Sequence, residues 1–231
     1  MIDFHSHILS SVDDGSKSME ESSEMISMLL SQGVDTVVAT PHFYADDESL
    51  DDFLSRRDAA YESLISSLTF SHPRILRGAE VSYYSGLSRL DELSRLCIEG
   101  TDLLLIEMPV CKWTEYSVRE IESIALSGAV RVVLAHIERY YHLQKAQTWD
   151  RLMQCGVLMQ VNASFFIRRS SRGKAVSLLR RNRIHLLGSD CHNLSHRPPR
   201  MGEAYKIIAK KTGESFTKDF IRRQRALLGD D

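Results

Sequence analysis

Short apolar runs rich in Val, Ile and Leu recur along the chain, and the segments between them carry apolar residues at helical spacing. The runs cover residues 1–5, 35–40, 74–80, 102–107, 130–136, 157–162 and 185–189. Each is the length of a strand. Between them, Ser18-Met19-Glu20-Glu21 forms a capping box that starts a helix, and Gly33 stops it. The same spacing predicts helices near 49–68, 117–127, 145–154, 171–182, 199–212 and 216–226. Alternating strands and helices argue for a parallel sheet, and seven repeats argue for closure into a barrel. No composition break divides the chain, so residues 1–231 are expected to form a single α/β domain.

The polar residues that interrupt this pattern fall where the strands end. They are His5 and His7, His42, Glu80, Glu107, His136, and finally Asp190 and His192. In α/β barrels the working residues come from the C-terminal ends of strands and the loops that follow. One such histidine would ordinarily be a structural residue, but a series spread over most of the strands is not explained by core packing. Imidazoles and carboxylates gathered at one end of a parallel sheet suit divalent metal ions. The pattern reads as a multi-metal hydrolase.

Spacing supports this. His5 and His7 lie two apart, so an extended segment presents both on one face, and Asp190 and His192 repeat that spacing. Glu80 and Glu107 close strongly apolar runs, where an uncompensated charge would be costly to bury. Asp13-Asp14-Gly15 lies in the loop after the first strand, where a turn with solvated carboxylates is the simpler account of an isolated motif. Arg139 follows His136 by three residues and Arg197 follows His192 by five. Guanidinium forks beside a metal cluster favour an anionic oxygen-rich group, above all phosphate.

Composition narrows the classes. Apolar residues make up 43% of 231, enough for a full core, which excludes disorder. No stretch has the apolar length of a membrane span, and the N-terminus has neither a basic segment nor an apolar leader. Cys97, Cys111, Cys155 and Cys191 are scattered without paired spacing, as expected of reduced thiols in a cytoplasmic protein. Net charge is −2 but uneven, with 13 acidic and 3 basic residues in 1–60 against 16 basic and 6 acidic in 168–231. A solvated helix face accounts for the basic end, and nucleic acid is not inferred from it.

A rival reading sits in one loop. Cys191 and Arg197 have the Cys-x5-Arg spacing of cysteine-dependent phosphatases. That chemistry needs a cradle of free backbone amides leading into a helix, and a thiolate of low pKa. Here the loop lacks glycine, Pro198-Pro199 follow Arg197, and Asp190 beside Cys191 disfavours the thiolate. The match is taken as accidental.

The segments Asp3-Phe4-His5-Ser6-His7, Asp13-Asp14-Gly15, Thr40-Pro41-His42, Gly78-Ala79-Glu80, Ile106-Glu107, His136-Ile137-Glu138-Arg139-Tyr140, Asn162-Ala163-Ser164, Ser189-Asp190-Cys191-His192 and Arg197-Pro198-Pro199 together resemble the polymerase-and-histidinol-phosphatase (PHP) superfamily. Within it the chain resembles the manganese-dependent tyrosine-protein phosphatases encoded with bacterial capsule and exopolysaccharide genes. The resemblance covers residues 1 to about 205, in the family's order and spacing. It implies a distorted seven-stranded, TIM-like (β/α)7 barrel holding three divalent ions. One ion would be held by His5, His7, Glu80 and Asp190, with Glu80 bridging to a second held by Glu107 and His136. Asp14, His42 and His192 would hold the third, and Arg139 and Arg197 would grip phosphate.

Manganese is the ion this family leads one to expect, while iron, zinc or magnesium also suit such donors. The implied chemistry is attack of metal-activated hydroxide on phosphotyrosine, with the tyrosine kinase of polysaccharide export as substrate. A small-molecule phosphatase of the same fold, acting on histidinol phosphate or a nucleotide, is the alternative. A non-enzymatic metal-binding module is the third reading, and the intact ligand set argues against it. Homo-oligomerisation is left open. One departure stands out: Phe43-Tyr44-Ala45-Asp46-Asp47-Glu48 is acidic where the family often carries basic or flexible residues. Phe165-Phe166 is another, and His72, His142, His185 and His196 are expected to be bystanders.

Overall fold

All seven apolar runs form extended chain, but one of them breaks before its end and another is followed by an extra short strand. A computed structural model describes residues 1–230. Its strands are β1 (Ile2–Ser6), β2 (Thr36–Ala39), β3 (His42–Phe43), β4 (Arg74–Arg77), β5 (Glu80–Ser82), β6 (Leu103–Glu107), β7 (Arg131–Leu134), β8 (Leu158–Asn162) and β9 (Leu186–Gly188). The strand expected at 35–40 is β2, with β3 following it across Pro41, whereas the single strand expected at 74–80 is two, β4 and β5. Pro41 has no N–H to give to a ladder, and Gly78 lies where chains crowd: a Cβ there would sit 3.2 Å from both Thr40 and Val38. Two hydrogen bonds carry the pairing across the gap, Gly78 N to Ala39 O at 2.8 Å and Glu80 N to Pro41 O at 3.0 Å. Register survives the break, since Ala39 opposes Arg77 before it and His42 opposes Glu80 after it.

Every strand pair is parallel, in sheets ordered β1-β2-β4 and β3-β5-β6-β7-β8-β9. The sheets curl, so that β9 lies beside β1. His7 N donates to Cys191 O at 2.9 Å and Asp190 N to His5 O at 2.8 Å, with one isolated bridge between Ser6 and Cys191.

Helices α1 (Met19–Ser31), α2 (Leu50–Ser67), α3 (Glu115–Leu126), α4 (Ala146–Gln154), α5 (Ala163–Ile167), α6 (Arg169–Arg180), α7 (Met201–Thr212) and α8 (Glu214–Leu227) pack outside. Ser18 Oγ accepts from Glu21 N at 3.2 Å, as the capping box requires, but Glu21 reaches back to Lys17 N rather than to Ser18. Ser49 and Thr114 cap α2 and α3 in the same way. Among the described residues no helix is long and apolar enough to cross a membrane.

Burial follows the two-residue alternation of strands. Leu104, Ile106, Val132 and Leu134 join Met25, Ile26, Leu29 and Phe53 in the large cluster between strands and helices. Leu103, Leu105 and Val133 face the other way and meet Ile2, Phe4, Val38 and Leu186 in a smaller cluster that the curled strands enclose. The strand ends carry polar side chains above this apolar plug.

Candidate metal centre

All nine sequence-predicted ligands converge at the C-terminal ends of the strands. Four overlapping groups have donor atoms within 4.8 Å of one another: His7, Asp14, His42 and His192; His5, His7 and Asp190; His5, Glu80 and His136; His42, Glu80 and Glu107. Glu80 is the hub. Its Oε2 lies 3.0 Å from His5 Nε2, 3.3 Å from His7 Nε2 and 3.1 Å from His42 Nδ1, while Oε1 lies 2.8 Å from His136 Nε2. Glu107 Oε1 is 3.2 Å from His136 Nε2. Asp14 Oδ1 lies 3.3 Å from His192 Nε2 and 3.6 Å from His42 Nε2.

Close packing and a tight backbone put these groups together. Gly15 and Gly188 are obligatory: a Cβ would come within 2.3 Å of His7 O at the first and 2.5 Å of His5 Cβ at the second. His136 and Asp190 have φ of 30° and 54°, a left-handed conformation unusual for side chains other than Asn or Gly. Both belong to the donor cluster, and backbone strain tends to collect at functional sites.

The tautomers are set by residues behind the ligands. His7 Nδ1 lies 2.7 Å from Asp13 Oδ2, His192 Nδ1 lies 3.1 Å from Asp190 O, and His5 Nδ1 lies 3.5 Å from Gln160 Oε1. Each acceptor holds the proton on Nδ1 and turns the Nε2 lone pair inward. The result at His5 and His7 is two Nε2 atoms facing each other at 3.1 Å, with Glu80 and Asp190 oxygens beside them. A proton or a cation must lie between such lone pairs. Buried His42 Nδ1, His192 Nε2 and Glu80 Oε2 have close polar neighbours but are not aligned with them for regular hydrogen bonds. These orphaned donor atoms, with mixed imidazole and carboxylate chemistry, fit divalent metal ions.

Charge balance agrees. Among the described residues, Asp13, Asp14, Glu80, Glu107 and Asp190 are met by only two guanidiniums, Arg139 on Glu107 and Asp190, and Arg197 on Asp190, and otherwise by imidazoles. Burial opposes charge on His7, yet hydrogen bonds to Asp13, Asp190 and Glu80 outweigh it and hold that imidazole well above its usual range. His136 is pushed up to about 9, with burial overcome by Glu107 and Glu80. Burial instead drives His42 down, and takes His192 to about 4 with help from His7 and Arg197. Glu80 and Asp190 stay well below the carboxylate range despite burial, because of the surrounding histidines. The cluster demands positive charge and obtains some of it from protons.

Arg139 and Arg197 meet on one ligand. Arg139 leaves the short turn Ile137–Arg139, donates to Asp190 Oδ2 and reaches Glu107 Oε1 at 3.2 Å. Arg197 donates to Asp190 Oδ1 at 2.6 Å. Its loop is wound around Asn193 Oδ1, which accepts from Ser195 N, His196 N and Arg197 N at 3.1, 2.7 and 3.0 Å. Those amides are the ones a cysteine-phosphatase loop would keep for phosphate. Cys191 is fully buried, and burial together with Asp3 pushes its thiol well above the normal range. The Cys-x5-Arg match is accidental, as argued from sequence.

Several supporting residues escaped the sequence reading. Asp13 orients His7 and also accepts from His42 N at 3.0 Å; its signal was its place beside Asp14. Asn162 Nδ2 donates to Asp190 Oδ2 at 2.6 Å, and Gln160 Nε2 to Asn162 Oδ1 at 3.1 Å. Half-buried Glu138 accepts from Asn162 N at 3.1 Å, and desolvation of its carboxyl raises that group to about 7. Tyr44, in the acidic segment after His42, stacks on that ring at 5.2 Å. His185 and His196 lie outside the cluster groups, as do His72 and His142.

A cavity of about 460 Å³ opens beside the centre, lined by Arg139, Asn162, Asp190 and Arg197. A larger cleft of about 1000 Å³ runs along α7 and α8 and includes none of the nine ligand residues, so size alone does not mark the site.

Fold and site define a parallel-stranded α/β protein with a cluster of imidazole and carboxylate donors flanked by arginines. Residues 1–228 match the family model for capsular polysaccharide synthesis, CpsB/CapC. The chain is 33% identical to tyrosine-protein phosphatase CpsB of Streptococcus pneumoniae, covering all of this chain and 99% of that protein. It is 27% identical to tyrosine-protein phosphatase YwqE of Bacillus subtilis (strain 168), over 99% and 91% of the two chains. A chain from crystal structures of YwqE and CpsB, described there as unique metal-dependent tyrosine phosphatases, superposes with a TM-score of 0.84 at 25% identity, covering 100% of this chain and 95% of the other. The chain belongs to the CpsB/CapC family.

Proposed function

We propose that this protein is a metal-dependent protein-tyrosine phosphatase, a phosphoric monoester hydrolase like the relatives named above. The observation that carries the reading is the facing pair of Nε2 lone pairs on His5 and His7 beside Glu80 and Asp190. His5, His7, Glu80 and Asp190 would hold one ion, Glu80, Glu107 and His136 a second, and Asp14, His42 and His192 a third, with manganese as the expected metal. Divalent ions supply Lewis acidity that activates water and offsets charge on a phosphoryl group.

The chain's own residues do the rest. Asp13 and Gln160 hold the histidine tautomers, and Asn162 steadies Asp190. Arg139 and Arg197 offer guanidinium forks to phosphate oxygens and stabilise charge as it builds in the transition state. A tyrosyl leaving group, with a pKa of about 10, departs without a dedicated acid. The whole chain is read as one unit closed into a seven-position barrel. Its proposed substrate is the phosphorylated tyrosine kinase of capsule or exopolysaccharide export, met in the cytoplasm.

The test is to strip the protein of metal, reload it with manganese, count bound ions, and compare phosphotyrosine peptides with histidinol phosphate. Manganese-dependent hydrolysis favouring the peptides is expected. A preference for histidinol phosphate would move the protein to the small-molecule phosphatases of the same fold.

A further inference from the structure

Most basic side chains of the C-terminal third are occupied within the molecule. Arg183 pairs with Asp150, Arg200 with Glu203, Arg223 with Asp219, and Arg225 with Asp35. Arg172 donates to the carbonyls of Phe166 and Ile167. Others, among them Arg168, Arg169, Arg181 and Lys218, have no such partner among the described residues, and of these Arg168 lies in the lining of the site cavity. It is exposed, no carboxylate pairs with it among the described residues, and it lines the cavity of about 460 Å³ that opens onto Arg139, Arg197 and Asp190. Of the two carboxylates of that cavity, Asp190 is engaged by the two arginines and Asn162, while Glu138 accepts from Asn162 N through one oxygen and keeps its other oxygen buried and without a partner. One guanidinium is left facing open space next to the phosphate grips. Phe165 and Ile167 supply an apolar wall beneath it.

We propose that Arg168 is a specificity residue that pairs with an acidic side chain next to the phosphotyrosine. The inference rests on the phosphatase reading above. With phosphate between Arg139 and Arg197, the adjoining peptide residues run along this cavity and bring a carboxylate to Arg168. A glutamate is then favoured over glutamine or lysine at that position. An exposed charge pair of this kind contributes roughly a 1.5- to fivefold preference. It weakens with salt, because the Debye length falls to about 3 Å at 1 M.

The test uses manganese-loaded full-length protein and phosphotyrosine peptides that differ only in having Glu, Gln or Lys at each position flanking the phosphotyrosine. The readout is the ratio of kcat/KM between peptides, together with fluorescence-anisotropy affinities for the same peptides carrying a non-hydrolysable phosphonate. Wild type should favour Glu at one flanking position by both measures. Arg168→Gln should bring the Glu-to-Gln ratio to about one, and Arg168→Glu should turn the preference toward Lys. A purely structural defect would lower all peptides together and leave the ratios alone. A wild type without preference, or ratios unmoved in both variants, overturns the proposal while the phosphatase assignment stands. Failure to hydrolyse any phosphotyrosine peptide removes the assignment, and this inference with it.

Discussion

The same strands carry two layers of opposite character. In the enclosed plug, Ile2, Phe4, Leu103, Leu105 and Val133 are almost fully buried against one another, and nothing there lacks a partner. Farther along these strands, His5, Glu107 and His136 crowd into a layer where lone pairs oppose each other and buried polar atoms go unpaired. One layer is apolar and close-packed, whereas the other gathers polar donors that, on the proposed reading, cations and substrate would complete. Stability and chemistry are therefore separable along the strand axis, as expected of barrel-like folds.

Substitutions should separate the layers in a graded way. The largest effect belongs to the polar layer: His136→Ala or Arg139→Ala should lower kcat/KM for a phosphotyrosine peptide by at least about a hundredfold, while circular dichroism shows a folded protein. Unfolding of either variant would show that the layers are not independent. Next, Leu105→Ala in the plug should cost about 2–4 kcal/mol by denaturant titration, with activity per folded molecule retained.

A smaller effect is tied to pH. His185 Nδ1 accepts from Met159 N at 3.0 Å, and burial with nearby Arg223 and Arg183 lowers its pKa to about 4. The unfolded chain binds that proton more readily, so the stabilising contribution is complete above about pH 6.5 and fades as pH falls toward 4. His185→Gln should flatten the fall in denaturation midpoint over that window by an amount on the order of 1 kcal/mol. A fall as steep in the variant as in wild type would place the titration elsewhere. The smallest effect is expected of Cys191→Ser, which should keep most activity. An inactive variant indifferent to chelators would revive cysteine chemistry.

Elements with a strong local signal were legible in sequence. The Val- and Leu-rich runs became strands, and Ser18, Ser49 and Thr114 began helices because their side chains satisfy exposed amides. Most residues of the donor cluster could be picked out by their places at strand ends. Less visible were features that depend on distant chain. Pro41 breaks β2 from β3 only because Gly78 faces that stretch across the sheet, and α5 is too short to show helical periodicity. Asp13 looked like an ordinary turn carboxylate, since only the folded loop brings it to His7. The convergence of Arg139 and Arg197 on Asp190 joins residues that no local pattern relates.

The left-handed turns at His136 and Asp190 bear on how this scaffold would drift if selection for its activity ended. Glycine adopts that conformation without steric penalty, so replacement at either position would relieve local strain while removing a donor from the centre. Lineages released from catalysis should accumulate such changes and grow sturdier as they fall silent. Within this family, a glycine at either turn would mark a retired enzyme.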